Sequence, residues 1–132
     1  MSFARFTFAT AAFADTADAL AENFNGIGGK ALGEWLAGEL RQRGFDVSEV
    51  YAEDHGWDFD VSDASGRYHC SASLEGEGAD REGGVTIGKS RSLMDRLAGR
   101  NTLAGDDAVV ACLGALLGAH PALEAMTCEF TR

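Results

Sequence analysis

The chain has 132 residues, 45% of them apolar and 24% charged, a balance that belongs to one folded domain and excludes wholesale disorder. A chain of this length buries roughly two-thirds of its unfolded surface, enough for a core without staples. Twenty-one acids against eleven bases give a net charge of −10, which argues against direct, sequence-independent binding to DNA or RNA.

Arg5 and the apolar stretch Phe6 to Ala14 resemble a secretory signal, but the stretch is short and carries one positive charge. Phe6 and Phe8 alternate with Thr7 and Ala9, and this period of two predicts a strand instead. The next element follows the glycines Gly26, Gly28 and Gly29. There Leu32, Trp35, Leu36 and Leu40 share one helical face, with Arg41 and Arg43 in the last turn and Gly44 as the stop.

Phe45 to Tyr51 reads as a strand and Trp57 to Ser62 as another, with Trp57, Phe59 and Val61 inward. Asp58, Asp60 and Ser62 are then expected to face solvent. Asp63-Ala64-Ser65-Gly66 is a turn leading into Arg67 to Leu74, where Tyr68, Cys70, Ala72 and Leu74 point inward. The turn's length is expected to decide what lies opposite His69: Asp60 for a four-residue loop, Ser62 for a two-residue one. A polar loop from Glu75 to Gly83 precedes a short strand around Val85 and Ile87.

Leu93, Met94 and Leu97 mark a short helix, and Lys89, Arg91, Arg96 and Arg100 a small basic patch. The apolar run Ala108 to Ala119 opens after Gly105-Asp106-Asp107. At twelve residues it is too short for a membrane span of about 20 and reads as a buried helix. His120-Pro121 ends it, and Ala125 to Thr131 forms a last strand. The order β-α-β-β-β-β-α-α-β predicts a single α+β domain over residues 1–132. Its antiparallel sheet of five to six strands is packed by an N-terminal helix and two C-terminal helices.

Cys70, Cys112 and Cys128 make an odd set in apolar contexts, expected to be three reduced core thiols in a cytoplasmic protein. The loop Asn25-Gly26-Ile27-Gly28-Gly29-Lys30 before a helix could cradle phosphate. It fails the Walker pattern, because Phe24 stands where the first glycine belongs and Ala31 where the hydroxyl belongs. The segment resembles the pyrophosphate loop of the acetyl-CoA-dependent N-acetyltransferase family, with Asn23 in place of that pattern's Gln or Arg. That family builds several strands before the loop, where this chain has room for one. No HxxxH, CxxC or HExxH spacing occurs, and the serines Ser71 and Ser73 lack a glycine elbow. No catalytic residue, metal site or cofactor is expected, and a surface His–Asp pair is the plain reading of Asp60 with His69.

Charge patterning says more. Asp46, Glu49, Glu53, Asp54, Asp58, Asp60 and Asp63 lie between Gly44 and Gly66 with no Lys or Arg among them. Seven of the ten excess charges thus fall on one hairpin region, whose field would steer a basic partner. The expected partner-binding residues are Glu53, Asp54, His55, Asp58, Asp60 and His69, with Trp57 assigned to the core. The partner this charge pattern leads one to expect is a basic protein.

Trp35-Leu36, Leu40, Gly44-Phe45, Val47, Glu53-Asp54 and Gly56-Trp57 resemble a pattern in small uncharacterised bacterial proteins, which implies an α+β domain and no activity. By class, small acidic domains with one negative face are similar to toxin-immunity proteins and phage-encoded inhibitors of nucleic-acid-handling machines. A secretion-chaperone-like homodimer is the second binding reading. An acyltransferase-like enzyme using Gly26–Gly29 is the third.

Overall fold

The computed structural model describes residues 3–76, 81–89, 103 and 107–131. Among the described residues seven antiparallel strands form one sheet: β1 (Phe3–Thr10), β2 (Asp46–Val47), β3 (Tyr51–Glu53), β4 (Gly56–Asp63), β5 (Gly66–Glu75), β6 (Arg81–Lys89) and β7 (Leu123–Thr131). Their order is β2-β4-β5-β6-β1-β7, with β3 also paired to β4. Among the described residues there are three helices: α1 (Ala17–Glu22), α2 (Lys30–Gln42) and α3 (Ala108–Ala119). The α+β class and the antiparallel sheet follow from the sequence pattern. The expected helix at Leu93, Met94 and Leu97, and Arg91, Arg96 and Arg100 of the basic patch, lie outside the described residues.

Alternation along each strand sorts the two faces of the sheet. Phe6, Phe8, Phe59, Val61, Tyr68, Cys70, Val85 and Ile87 pack under Leu32, Leu36 and Leu40 of α2 and Val109, Val110, Leu113 and Leu117 of α3. The opposite face carries Arg5, Thr7, Asp58, Asp60, His69, Ser71 and Thr86. Trp57 belongs to the core at 2% exposure, and its indole Nε1 donates to the Ile27 carbonyl at 2.9 Å. One close approach depends on glycine. A Cβ on Gly83 of β6 would lie 2.2 Å from Phe8 Cε2 on the neighbouring strand.

α2 ends as its sequence predicts. Gly44 takes φ +92°, Phe45 N donates to Leu40 O at 3.2 Å, and Gly44 N to Arg41 O at 3.0 Å. That crossed pair of bonds satisfies carbonyls the last turn leaves open. α1 was not expected from the sequence. Six residues carry too little apolar periodicity to show, and the helix rests on Thr16, whose side chain accepts from Ala19 N.

The expected strand Phe45–Tyr51 is two short strands, which brings the count to seven rather than five or six. Ser48 causes the break: its N–H donates to Asp60 O at 2.9 Å while its Oγ accepts from Asp60 N at 2.8 Å. A side chain thus replaces a backbone acceptor. The register slips by one residue, from Val47 opposite Val61 to Tyr51 opposite Asp58. The turn after β4 closes on Asp63 paired with Gly66, leaving only Ala64–Ser65 between them, and Asp60 lies opposite His69. Counting pairs back from Asp63–Gly66 sets that register, so the two-residue turn does not shift the partner to Ser62. β6 is also longer than the short strand expected.

The cysteines are not all core thiols. Cys70 is buried, Cys112 is intermediate, and Cys128 is exposed on β7. β7 is an edge strand covered little by α3, so apolar context in the sequence did not translate into burial. All three are free. Among the described residues no helix is long and apolar enough to cross a membrane.

Candidate functional site

The β3–β4–β5 hairpins bring four of the six expected residues together on the sheet face away from the helices. Asp58 and Asp60 project from β4 on this face, two residues apart. His69 on β5 is the direct cross-strand partner of Asp60 and the diagonal neighbour of Asp58. Its Nδ1 donates to Asp60 Oδ1 at 2.8 Å and its Nε2 to Asp58 Oδ2 at 2.7 Å. His55, in the turn between Glu53 and Gly56, donates from Nε2 to Asp58 Oδ1 at 2.9 Å and Oδ2 at 3.0 Å. Tyr51 OH reaches Asp60 Oδ2 at 3.4 Å.

Asp58 does not face solvent. It points to the expected side of the sheet, yet only 2% of it is exposed, because His55, His69 and the flanking strand cover it. Asp60 has the expected exposure, with 55% of its side chain accessible. Glu53 and Asp54 stay outside the network, exposed at the hairpin tip.

Both nitrogens of His69 point at carboxylates, and ionised carboxylates only accept, so the geometry calls for a doubly protonated ring. Burial works against the charge. The hydrogen bonds to Asp60 and Asp58 and the field of both acids outweigh it, and the His69 pKa is raised. Burial first, then the charges of Asp60 and Asp58, push the Tyr51 hydroxyl up to about 12, which keeps it neutral and a donor.

With both nitrogens occupied, His69 has no site left to take a proton from a substrate. Cys70, next in sequence, points into the core, where burial drives its thiol far up. Among the described residues no group of three or more His, Cys, Asp or Glu is disposed to hold a metal ion.

Its surroundings are acidic. Asp46, Glu49, Glu53, Asp54 and Asp60 are exposed, and Asp63 caps its own turn by accepting from Ser65 N at 2.8 Å and Gly66 N at 3.2 Å. The Lys and Arg ion pairs of the described residues are Lys30–Glu22, Arg43–Glu39 and Lys89–Asp107, and none involves these acids. Arg41 comes near but donates to the Val47 and Ser48 carbonyls. Among the described residues, the side chains that bond to the carboxylates of Asp58 and Asp60 are His55, His69 and Tyr51. Beside them, the break between β2 and β3 leaves an open recess of about 420 Å³ lined by Asp46, Ser48, Asp60, Ser62 and Arg67.

Two residues that position the tip were missed by sequence reasoning. Asn23, 3% exposed, donates from Nδ2 to the Glu53 and Gly56 carbonyls, while its Oδ1 accepts from Asn25 N and Ile27 N. Asn25 donates to Asp54 O at 2.8 Å. The asparagines among the glycines were the available signal, and they clamp one loop to another. The amides at the start of α2 are also taken: Gly29 N and Ala31 N donate to the two oxygens of Asp15 at 2.8 and 2.9 Å. The place an anion would occupy is filled by this chain's own carboxylate.

Comparison of this chain with protein-family models, curated proteins and solved structures gave no match.

Proposed function

We propose that this chain is a non-enzymatic, acidic protein-binding module that docks a basic protein partner on the edge formed by β2, β3 and β4. The observation that carries the reading is the set of four exposed carboxylates there, Asp46, Glu49, Glu53 and Asp54, that enter no ion pair among the described residues. Exposed acids left uncompensated repel one another in the free domain and gain most when a partner brings the opposite charge. The Asn23 and Asn25 bonds hold the tip in one shape, which lowers the ordering cost of binding. An immunity-type or phage-type inhibitor covering a basic, nucleic-acid-handling surface fits this description by class alone. The three free thiols suit a reducing cytoplasmic setting. The filled anion position at Asp15 speaks against the acyltransferase reading.

The test uses the protein as bait in source-cell extract, beside a variant carrying Glu53→Gln, Asp54→Asn and Asp60→Asn, with Asp58 left intact. The wild type should retain a basic protein at low salt and lose it as salt rises, and the variant should retain much less at both. Equal capture by bait and variant would remove the support for this reading.

A further inference from the structure

The two edges of the sheet are built differently. One edge is made of β2 and β3, of two and three residues, broken at Ser48 and lined with acids. Short, interrupted and charged strands are the usual protection against edge-to-edge pairing. The other edge is β7, nine residues long, without Lys, Arg or Pro. Among the described residues it pairs with β1 alone. An irregularity at Ala125, where φ is +53°, disrupts its beginning and leaves Thr127–Thr131 in regular register with β1. Cys128 and Phe130 are opposite Phe6 and Ala4, hence on the helix-bearing face. Cys128 is nevertheless exposed, and Phe130 is 51% exposed.

We propose that a second copy of this chain pairs with β7, antiparallel about a two-fold axis at Cys128, so that two sheets become one. A two-fold axis normal to the sheet places one residue opposite itself and keeps both copies' helices on the same face. Centred on Glu129, the axis would set two carboxylates against each other. Centred on Thr127, it would set Phe130 against Glu124. At Cys128, Phe130 meets Met126 of the second copy, Thr127 meets Glu129, and the two glutamates avoid one another. Of these three centres, only Cys128 sets Phe130 against an apolar side chain and separates the like charges.

The charge distribution favours this edge for the contact. Each copy carries −10, but seven of its acids are on or beside the opposite edge, five strand spacings or roughly 24 Å away. In the joined sheet the two acidic edges lie about 50 Å apart, several Debye lengths at physiological salt. The pairing covers Phe130 and leaves the proposed docking edge open at both ends.

Sedimentation equilibrium on the intact chain tests this without any partner. The mass should double with rising concentration, and the dimer should tighten as salt rises, opposite to the salt dependence of docking a basic protein. Cys128→Glu sets two carboxylates face to face and should return the mass to one chain, as should Phe130→Glu. Both positions are exposed, and unchanged circular dichroism verifies that the fold persists. An equimolar mixture of Cys128→Glu and Cys128→Lys should regain the doubled mass that Cys128→Glu alone lacks. A wild-type mass of one chain at every concentration and salt overturns the proposal. So does a dimer that Cys128→Glu leaves intact, or a mixture that stays monomeric.

Discussion

His69 donates across the β4–β5 hairpin to Asp58 at 2.7 Å while holding its direct partner Asp60 at 2.8 Å. One imidazole therefore ties a buried carboxylate to an exposed one. Two substitutions that look alike in the sequence should behave differently. Asp58→Asn puts an amide where both histidines need an acceptor, and should cost about 1–3 kcal/mol. Asp60→Asn acts on an exposed group and should stay within about 0.5 kcal/mol of wild type. Urea denaturation of both variants measures the contrast, and equal costs would mean Asp58 is not held as described.

The raised His69 pKa sets a pH dependence of stability. A group whose folded pKa lies above its unfolded value adds stability that is complete below the unfolded value, about 6.5. That stability is lost as pH rises through the folded value. The denaturation midpoint should fall from about pH 6.5 upward, and His69→Gln should flatten the fall. The His69 ring resonances should titrate with a midpoint above 6.5. A midpoint below that would contradict the paired-carboxylate geometry.

Thiol labelling should separate the three cysteines. At concentrations where the chain is monomeric, Cys128 should react in the native state, Cys112 more slowly, and Cys70 only when the chain unfolds. Burial and the neighbouring Glu129 raise the Cys128 pKa, so its rate should lie below that of an unfolded thiol. Native-state labelling of Cys70 at the Cys128 rate would mean that the core opens far more readily than its packing implies.

Gly83→Ala should cost about 1–3 kcal/mol or more, since its methyl would lie 2.2 Å from the Phe8 ring. Phe8→Leu alone also loses packing, but it removes the obstructing ring. The double variant should therefore be more stable than the sum of the two costs, by about 0.5 kcal/mol or more. Strict additivity would place the Gly83 requirement elsewhere.

Asn23→Ala removes four hydrogen bonds at a buried position and leaves two carbonyls and two amides seeking partners. Amide exchange should quicken around Asp54–Gly56 before the core amides respond, because the Asn23 side chain ties that turn to the loop before α2. Uniform acceleration throughout the sheet would mean that Asn23 supports the whole fold rather than the tip.

The sequence by itself determined the class of the fold, the faces of β1, β4 and β5, the helices α2 and α3, and the concentration of acids between Asp46 and Asp63. These follow from local rules: a period of two or 3.6 in apolar residues, a glycine that ends a helix, and charge counted along the chain. Tertiary structure alone decided the rest, because each remaining feature joins residues far apart in sequence. Asp58 is buried although its parity faces it outward, since parity gives direction and only the neighbours His55, His69 and β3 give cover. Ser48 breaks a strand by bonding to Asp60, twelve residues away. Asp15 closes the start of α2 from fourteen residues upstream, so a loop shaped for an anion already holds one. Cys128 is exposed because β7 lies at the end of the strand order, and strand order is set by how the whole sheet closes over its core.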